Sequence, residues 1–122
     1  MEIHESAEDY LESILMLKER LGVVRSIDVV NELGYSKPSV SVAMKKLREN
    51  GYIEMDHEGY LTLTEAGMAV ADRTLTRHRT LTKFFVSLGV DPEIAAVDAC
   101  KVEHDLSPQT FDKLREHVER ME

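Results

Sequence analysis

A mainly α-helical chain is predicted by three observations. Apolar residues recur at helical spacing over most of the 122 residues, two short helical runs are joined by a glycine-containing turn, and the helical period gives way once to a short alternating stretch before it returns. This order is that of a winged helix-turn-helix, three helices plus a two-stranded wing, followed by an all-helical second half. The boundary is expected after Thr64, giving domains over 1–64 and 65–122.

The first helix is read from Ala7, Tyr10, Leu11, Ile14, Leu15, Leu17 and Leu21, with Gly22 as its stop. Ser26 precedes a second, short helix, IDVVNELG, in the cap position, with Ile27, Val30 and Leu33 on one face and Gly34 closing it. Ser36 then caps a third helix, Pro38 sits in its first turn, Val40, Met44 and Leu47 face inward, and Asn50-Gly51 ends it. In YIEMDHEGYLTLT apolar and polar residues alternate around an Asp56–Gly59 turn, which predicts the wing. Thr64 caps a long fourth helix whose apolar positions are Ala66, Val70, Leu75, Leu81, Phe84, Phe85 and Leu88, up to Gly89. Asp91-Pro92 opens a fifth that runs to about Leu106, and Ser107-Pro108 opens a last one with Phe111, Leu114 and Val118 apolar.

Apolar residues make up 43% of the chain and charged residues 31%, a globular balance with no membrane-spanning run. The N-terminus, MEIHESAEDY, lacks the basic start and apolar core of a secretory signal, so a cytoplasmic protein is expected. The net charge of −8 opposes nucleic-acid binding, but between Val23 and Asn50 five cations face three carboxylates, a local balance of +2. A locally basic helix on an acidic chain binds DNA weakly by itself, so dimerisation or neutralisation by cations is expected to help it.

The third helix has the pattern of one that enters the major groove, with short or polar residues near its N-terminus and cations further along. Ser36, Lys37, Pro38, Ser39 and Ser41 occupy its first turns, Val42 suits a thymine methyl, and Lys45, Lys46 and Arg48 suit phosphates. Arg25, a cation of the same region, completes the candidate DNA-binding set. Winged helices that bind proteins share this order of elements, and that alternative stays open at this point.

A second constellation lies elsewhere. Asp9 and Glu12, three apart, project from one side of the first helix, and Cys100, Glu103 and His104 place a thiol, a carboxylate and an imidazole within one turn of the fifth. Mixed S, N and O donors suit Fe(II), Mn(II), Co(II) or Zn(II) better than Ca(II). Taken singly, Cys100 is a buried small residue, a reactive thiol or a ligand, and His78, flanked by Arg77 and Arg79, reads as a surface residue. His4, His57 and His117 are left outside the site. Cys, His and Glu could also serve an enzyme as nucleophile, base and orienter, but there is no phosphate-cradling glycine loop and no substrate-pocket signature, so neither an enzyme nor a small organic substrate is expected.

The segments SAEDYLESILML, SKPSVSVAMKKLRENGYI, YLTLTEAG, RHRTLTKFFVSLGVD and above all ACKVEHDLS resemble the DtxR/MntR family, the diphtheria-toxin-repressor and manganese-transport-regulator group of metal-dependent repressors. The resemblance covers nearly the whole chain. It implies that the helical half is a dimerisation domain, that the protein is a homodimer on a palindromic double-stranded operator, and that Asp9, Glu12, His78, Cys100, Glu103 and His104 bind a metal, Mn(II) or Fe(II), with Zn(II) or Co(II) plausible in vitro. Asp9 and Glu12 resemble the manganese branch, whereas Cys100 stands where that branch has Glu and the iron branch has Cys. Thr82 and Ala96 occupy the iron branch's ancillary-site positions, so no ancillary site is expected. The chain ends before the SH3-like third domain of that branch, which makes a two-domain architecture the expectation.

Overall fold

The first 17 described residues form an α-helix because their apolar positions recur at helical spacing and line one buried stripe. The structure, a computed structural model, describes residues 5–122; His4 lies outside the described residues. In chain order the elements are α1 (Glu5–Leu21), α2 (Ser26–Leu33), α3 (Lys37–Glu49), β1 (Ile53–Met55), β2 (Leu61–Leu63), α4 (Glu65–Ser87), α5 (Pro92–Val102) and α6 (Pro108–Met121). They form two compact units that divide within α4, between Asp72 and Arg73.

In the first unit, α1 packs on α2 and β2, and α3 packs on α2 and β1. Leu11, Ile14 and Leu17 of α1, Val40, Met44 and Leu47 of α3, and Ile53 and Leu61 of the wing are all buried. The inward face of α2 differs from expectation. Val29 is the fully buried residue and Ile27 is 43% exposed, because the helix is entered differently: its N-cap is Arg25, not Ser26, and the Arg25 N–H donates to the Asp28 carboxylate at 2.9 Å.

The wing pairs Ile53 with Leu63, Glu54 with Thr62 and Met55 with Leu61, antiparallel. Asp56 organises its tip, its carboxylate accepting from the N–H groups of Glu58 and Tyr60, both at 2.9 Å. The Leu61 N–H donates to the Val24 carbonyl at 2.7 Å, and the Arg25 guanidinium lies 4.5 Å above the Tyr60 ring, so the entry to α2 is fastened to the wing. At the wing exit the Thr64 hydroxyl donates to the Gly51 carbonyl at 2.6 Å while the Thr64 N–H donates to the Tyr52 carbonyl at 3.1 Å. Gly67 is required here: a Cβ at this position would overlap the Tyr52 carbonyl.

In the second unit, the buried side chains come from all three helices: Thr74, Leu75 and Leu81 of α4, Ala95 and Ala99 of α5, Phe111 and Val118 of α6. Asp91 caps α5, accepting from the Glu93 N–H at 3.0 Å, and Ser107 caps α6, accepting from the Thr110 N–H at 3.2 Å. Two expectations fail here. Leu88 is 65% exposed, not an inward position, because α4 ends at Ser87 and the chain turns away at Gly89, whose φ of +101° needs glycine. The fifth helix ends at Val102, short of Leu106. Pro108 disfavours helical geometry just before it, and the carbonyls of Glu103 and Leu106 are taken by the Arg77 guanidinium at 3.0 and 2.8 Å. Among the described residues no helix is long and apolar enough to cross a membrane.

Candidate metal centre and nucleic-acid interface

Three chemically active side chains stand at the end of α5 and in the turn that follows it. Cys100 lies in the last turn of α5, Glu103 at its C-cap and His104 in the turn beyond, so His104 is not a helical residue as the spacing suggested. The Glu103 side chain is fully buried, with Oε2 3.0 Å from His78 Nδ1 and Oε1 3.4 Å from His104 Nε2. Ring N–H groups on such nitrogens donate to the carboxylate. His78 is therefore not the surface residue its flanking arginines suggest: its side chain is 19% exposed and turned to Glu103. Cys100 is exposed, which removes the reading of it as a buried core residue, and its Sγ lies within 4.8 Å of a Glu103 carboxylate oxygen.

In the first unit, Asp9 and Glu12 stand three apart on α1, the first half-buried and the second only 8% exposed. Glu5, one turn earlier, brings a carboxylate oxygen within 4.8 Å of one of Asp9, an acidic neighbour that the sequence reading did not single out. A carboxylate taken out of water requires donors or a cation. One buried carboxylate between two imidazoles is an N and O donor set that fits a borderline divalent cation, and the nearby thiol extends it toward softer ions. Thr82 donates its hydroxyl to the His78 carbonyl on its own helix at 2.8 Å, and Ala96 offers no donor atom, so neither position is built as a ligand.

The exposed side of α3 carries the other candidate residues. Lys37, Pro38, Ser39, Ser41, Lys45 and Lys46 are all exposed, and Val42 is 54% exposed. Ser36 caps the helix, accepting from the Ser39 N–H at 3.2 Å, and its hydroxyl donates to that of Ser39 at 2.8 Å. Arg48 is exposed too, its guanidinium 3.6 Å from the Met55 sulfur of β1. Beside this face runs a groove of about 490 Å³ between α1 and α3, lined by Ser6, Tyr10, Pro38, Ser39, Val42 and Lys46. Burial, and secondarily the Tyr35 phenol, raise the Tyr10 hydroxyl above its ordinary range, so Tyr10 borders the groove as a neutral group. Arg77 is the residue of the second unit whose role sequence reasoning missed; only the fold brings it to the turn that follows α5.

Comparison with known proteins gives a family for both halves of the chain. Residues 2–62 match the family model of the iron-dependent repressor N-terminal DNA-binding domain, and residues 64–122 that of the iron-dependent repressor metal-binding and dimerisation domain. The chain is 38% identical over 111 residues to the transcriptional regulator MntR of Escherichia coli, covering 91% of this chain and 72% of that protein. It is 35% identical over 118 residues to an uncharacterised HTH-type transcriptional regulator of Methanocaldococcus jannaschii, covering 95% and 94%. Among solved structures it is similar to the manganese regulator SloR, with a TM-score of 0.81 and 25% identity over 98% of this chain, and it spans 55% of that longer chain. The chain belongs to the iron-dependent repressor family, the DtxR/MntR group of metal-dependent transcriptional regulators, which are DNA-binding proteins and not enzymes.

Proposed function

We propose that this chain is a cytoplasmic, homodimeric repressor of metal-homeostasis genes that is activated for operator binding by Mn(II) or Fe(II). The observation that carries the reading is Glu103, a fully buried carboxylate held between the imidazoles of His78 and His104. Asp9 and Glu12 of α1 complete the ligand set together with Cys100. When bound, a divalent cation supplies the positive charge that lets carboxylates, imidazoles and a thiolate share one site. In its absence the three carboxylates of the set repel one another, so the metal-free site is held less tightly. Metal then acts by population shift, limited by its differential affinity for the DNA-competent arrangement. The manganese regulator SloR supports Mn(II); Cys100, a softer ligand than a carboxylate, supports Fe(II) and admits Zn(II) or Co(II) in vitro.

In the DNA complex the exposed side of α3 enters the major groove. Ser36, Lys37, Pro38, Ser39 and Ser41 lie toward the bases, Val42 toward a thymine methyl, and Lys45, Lys46 and Arg25 toward phosphates. Two copies on a dimer read a palindrome. Exposed Leu88, Ile94 and Val97, 65%, 58% and 56% accessible, are apolar surface in the dimerisation half that a second copy covers.

Titrating a fluorescent palindromic operator duplex with protein, in chelator and in Mn(II), Fe(II), Co(II) or Zn(II), tests the switch. Metal is expected to tighten binding by about 5- to 150-fold, the usual span of allosteric coupling; equal affinity in metal and chelator would remove it. Lys46→Ala is expected to weaken binding to all sequences alike and to lower the slope of log affinity against log salt by about 0.9 per chain, one phosphate contact. An unchanged slope would take α3 away from the backbone.

A further inference from the structure

The guanidinium of Arg77 leaves α4 next to His78 and reaches the turn that follows α5. It donates to the carbonyl oxygens of Glu103 at 3.0 Å and Leu106 at 2.8 Å, and its central carbon lies 5.1 Å from the centre of the Phe111 ring. Those carbonyls belong to the stretch between the end of α5 at Val102 and the start of α6 at Pro108, where helical hydrogen bonding has stopped. The same stretch carries Glu103 and His104. One planar group thus ties the turn to the helix that carries His78, and the Phe111 face fixes the plane in which it does so.

The placement of this charge is unusual for a site that binds cations. A permanent cation one residue from His78 opposes a second cation by plain Coulomb repulsion. It donates to the backbone carbonyls of Glu103 and Leu106, while the Glu103 carboxylate stays with the imidazoles. Its benefit therefore lies in geometry, since Coulomb repulsion works against metal. A lysine could not reproduce this, because an ammonium is a compact, strongly hydrated point charge with no plane to lie on Phe111.

We propose that Arg77 is a positioning residue of the metal centre: by clamping the turn 103–106 onto α4 it holds the Glu103 carboxylate and the His104 imidazole against His78, and so sets metal affinity without being a ligand. This rests on the reading above, that Glu103, His78 and His104 hold a divalent cation. Partners that orient ligands in this way are worth about 10- to 100-fold in metal affinity.

The test is direct Mn(II) binding by the full chain, followed by calorimetry, together with the visible absorption of the Co(II)-loaded protein. Arg77→Lys and Arg77→Met are expected to weaken Mn(II) binding at least about tenfold and to alter the Co(II) spectrum, whereas Arg79→Lys changes neither. A purely structural arginine would lower the melting temperature of the metal-free protein and leave affinity and spectrum alone; that result overturns the proposal. If the Arg77 variants fail to fold, Phe111→Leu keeps an apolar side chain at this buried position while removing the ring face under the guanidinium, and unchanged affinity and spectrum in that variant overturn it equally. Wild-type protein that binds neither Mn(II) nor Co(II) refutes the metal centre itself. Wild-type binding that is lost in Glu103→Gln but kept in both Arg77 variants refutes the role of Arg77 alone.

Discussion

Glu103→Gln is expected to lower Mn(II) affinity by at least about a hundredfold, beyond the effect of losing an orienting partner, and to abolish metal-dependent operator binding. The substitution keeps shape and burial but replaces one carboxylate oxygen with an amide nitrogen that cannot ligate. Its neighbours make the loss severe: the carboxylate is fully buried and is met by His78 Nδ1 at 3.0 Å and His104 Nε2 at 3.4 Å, so no water-exposed rotamer is available to substitute for it. The metal-free protein is expected to remain folded, because a neutral amide is less costly to bury than a carboxylate. Calorimetric titration with Mn(II) and a melting curve in chelator separate the two effects. Wild-type affinity in this variant would move the metal away from the second unit.

Gly67→Ala is expected to destabilise the first unit by about 3 kcal/mol, the upper end of ordinary overpacking. The added methyl would overlap the Tyr52 carbonyl, and both neighbours of the clash are backbone. That carbonyl cannot simply turn aside, because it accepts from the Thr64 N–H at 3.1 Å while the Thr64 hydroxyl donates to Gly51 at 2.6 Å and accepts from the Gly67 N–H at 3.2 Å. Relief requires the start of α4 to move off the wing exit, which loosens β1 and β2 together. At this domain size the cost corresponds to a fall in melting temperature on the order of 15 °C. A shift within about 3 °C, under 1 kcal/mol on the same scale, would mean that the close approach is not obligatory.

These expectations show what was readable from residues and what was not. Local chemistry announced itself wherever it acts within a turn: Ser36, Asp91 and Ser107 as caps ahead of prolines, Asp56 as organiser of the wing tip, and Val40, Met44 and Leu47 at helical spacing. Misreadings arose where one residue shifts a whole face. Capping by Asp28 toward Arg25 rather than by Ser26 leaves Val29 inside and Ile27 outside, a difference that apolar spacing in an eight-residue helix cannot resolve. The early end of α5 was hidden because its cause is remote: Arg77, 26 residues before Glu103, takes the carbonyl that a further helical turn would use. His78 illustrates the same limit. Between Arg77 and Arg79 it has every sign of a solvated residue, and only the packing of α4 against the turn after α5 brings it to Glu103, 25 residues on. Spacing alone links Asp9 to Glu12 and Cys100 to Glu103 and His104, but nothing to His78, which only the family resemblance adds to the candidate ligands.

A double-mutant cycle in Mn(II) affinity between Glu12→Gln and Glu103→Gln tests most directly the proposal that these two residues bind the same cation. Ligands to one ion fail together, so the double variant is expected to lose hardly more affinity than the worse single variant. Losses that add in free energy would mean that residues 12 and 103 serve separate sites, and would contradict the account.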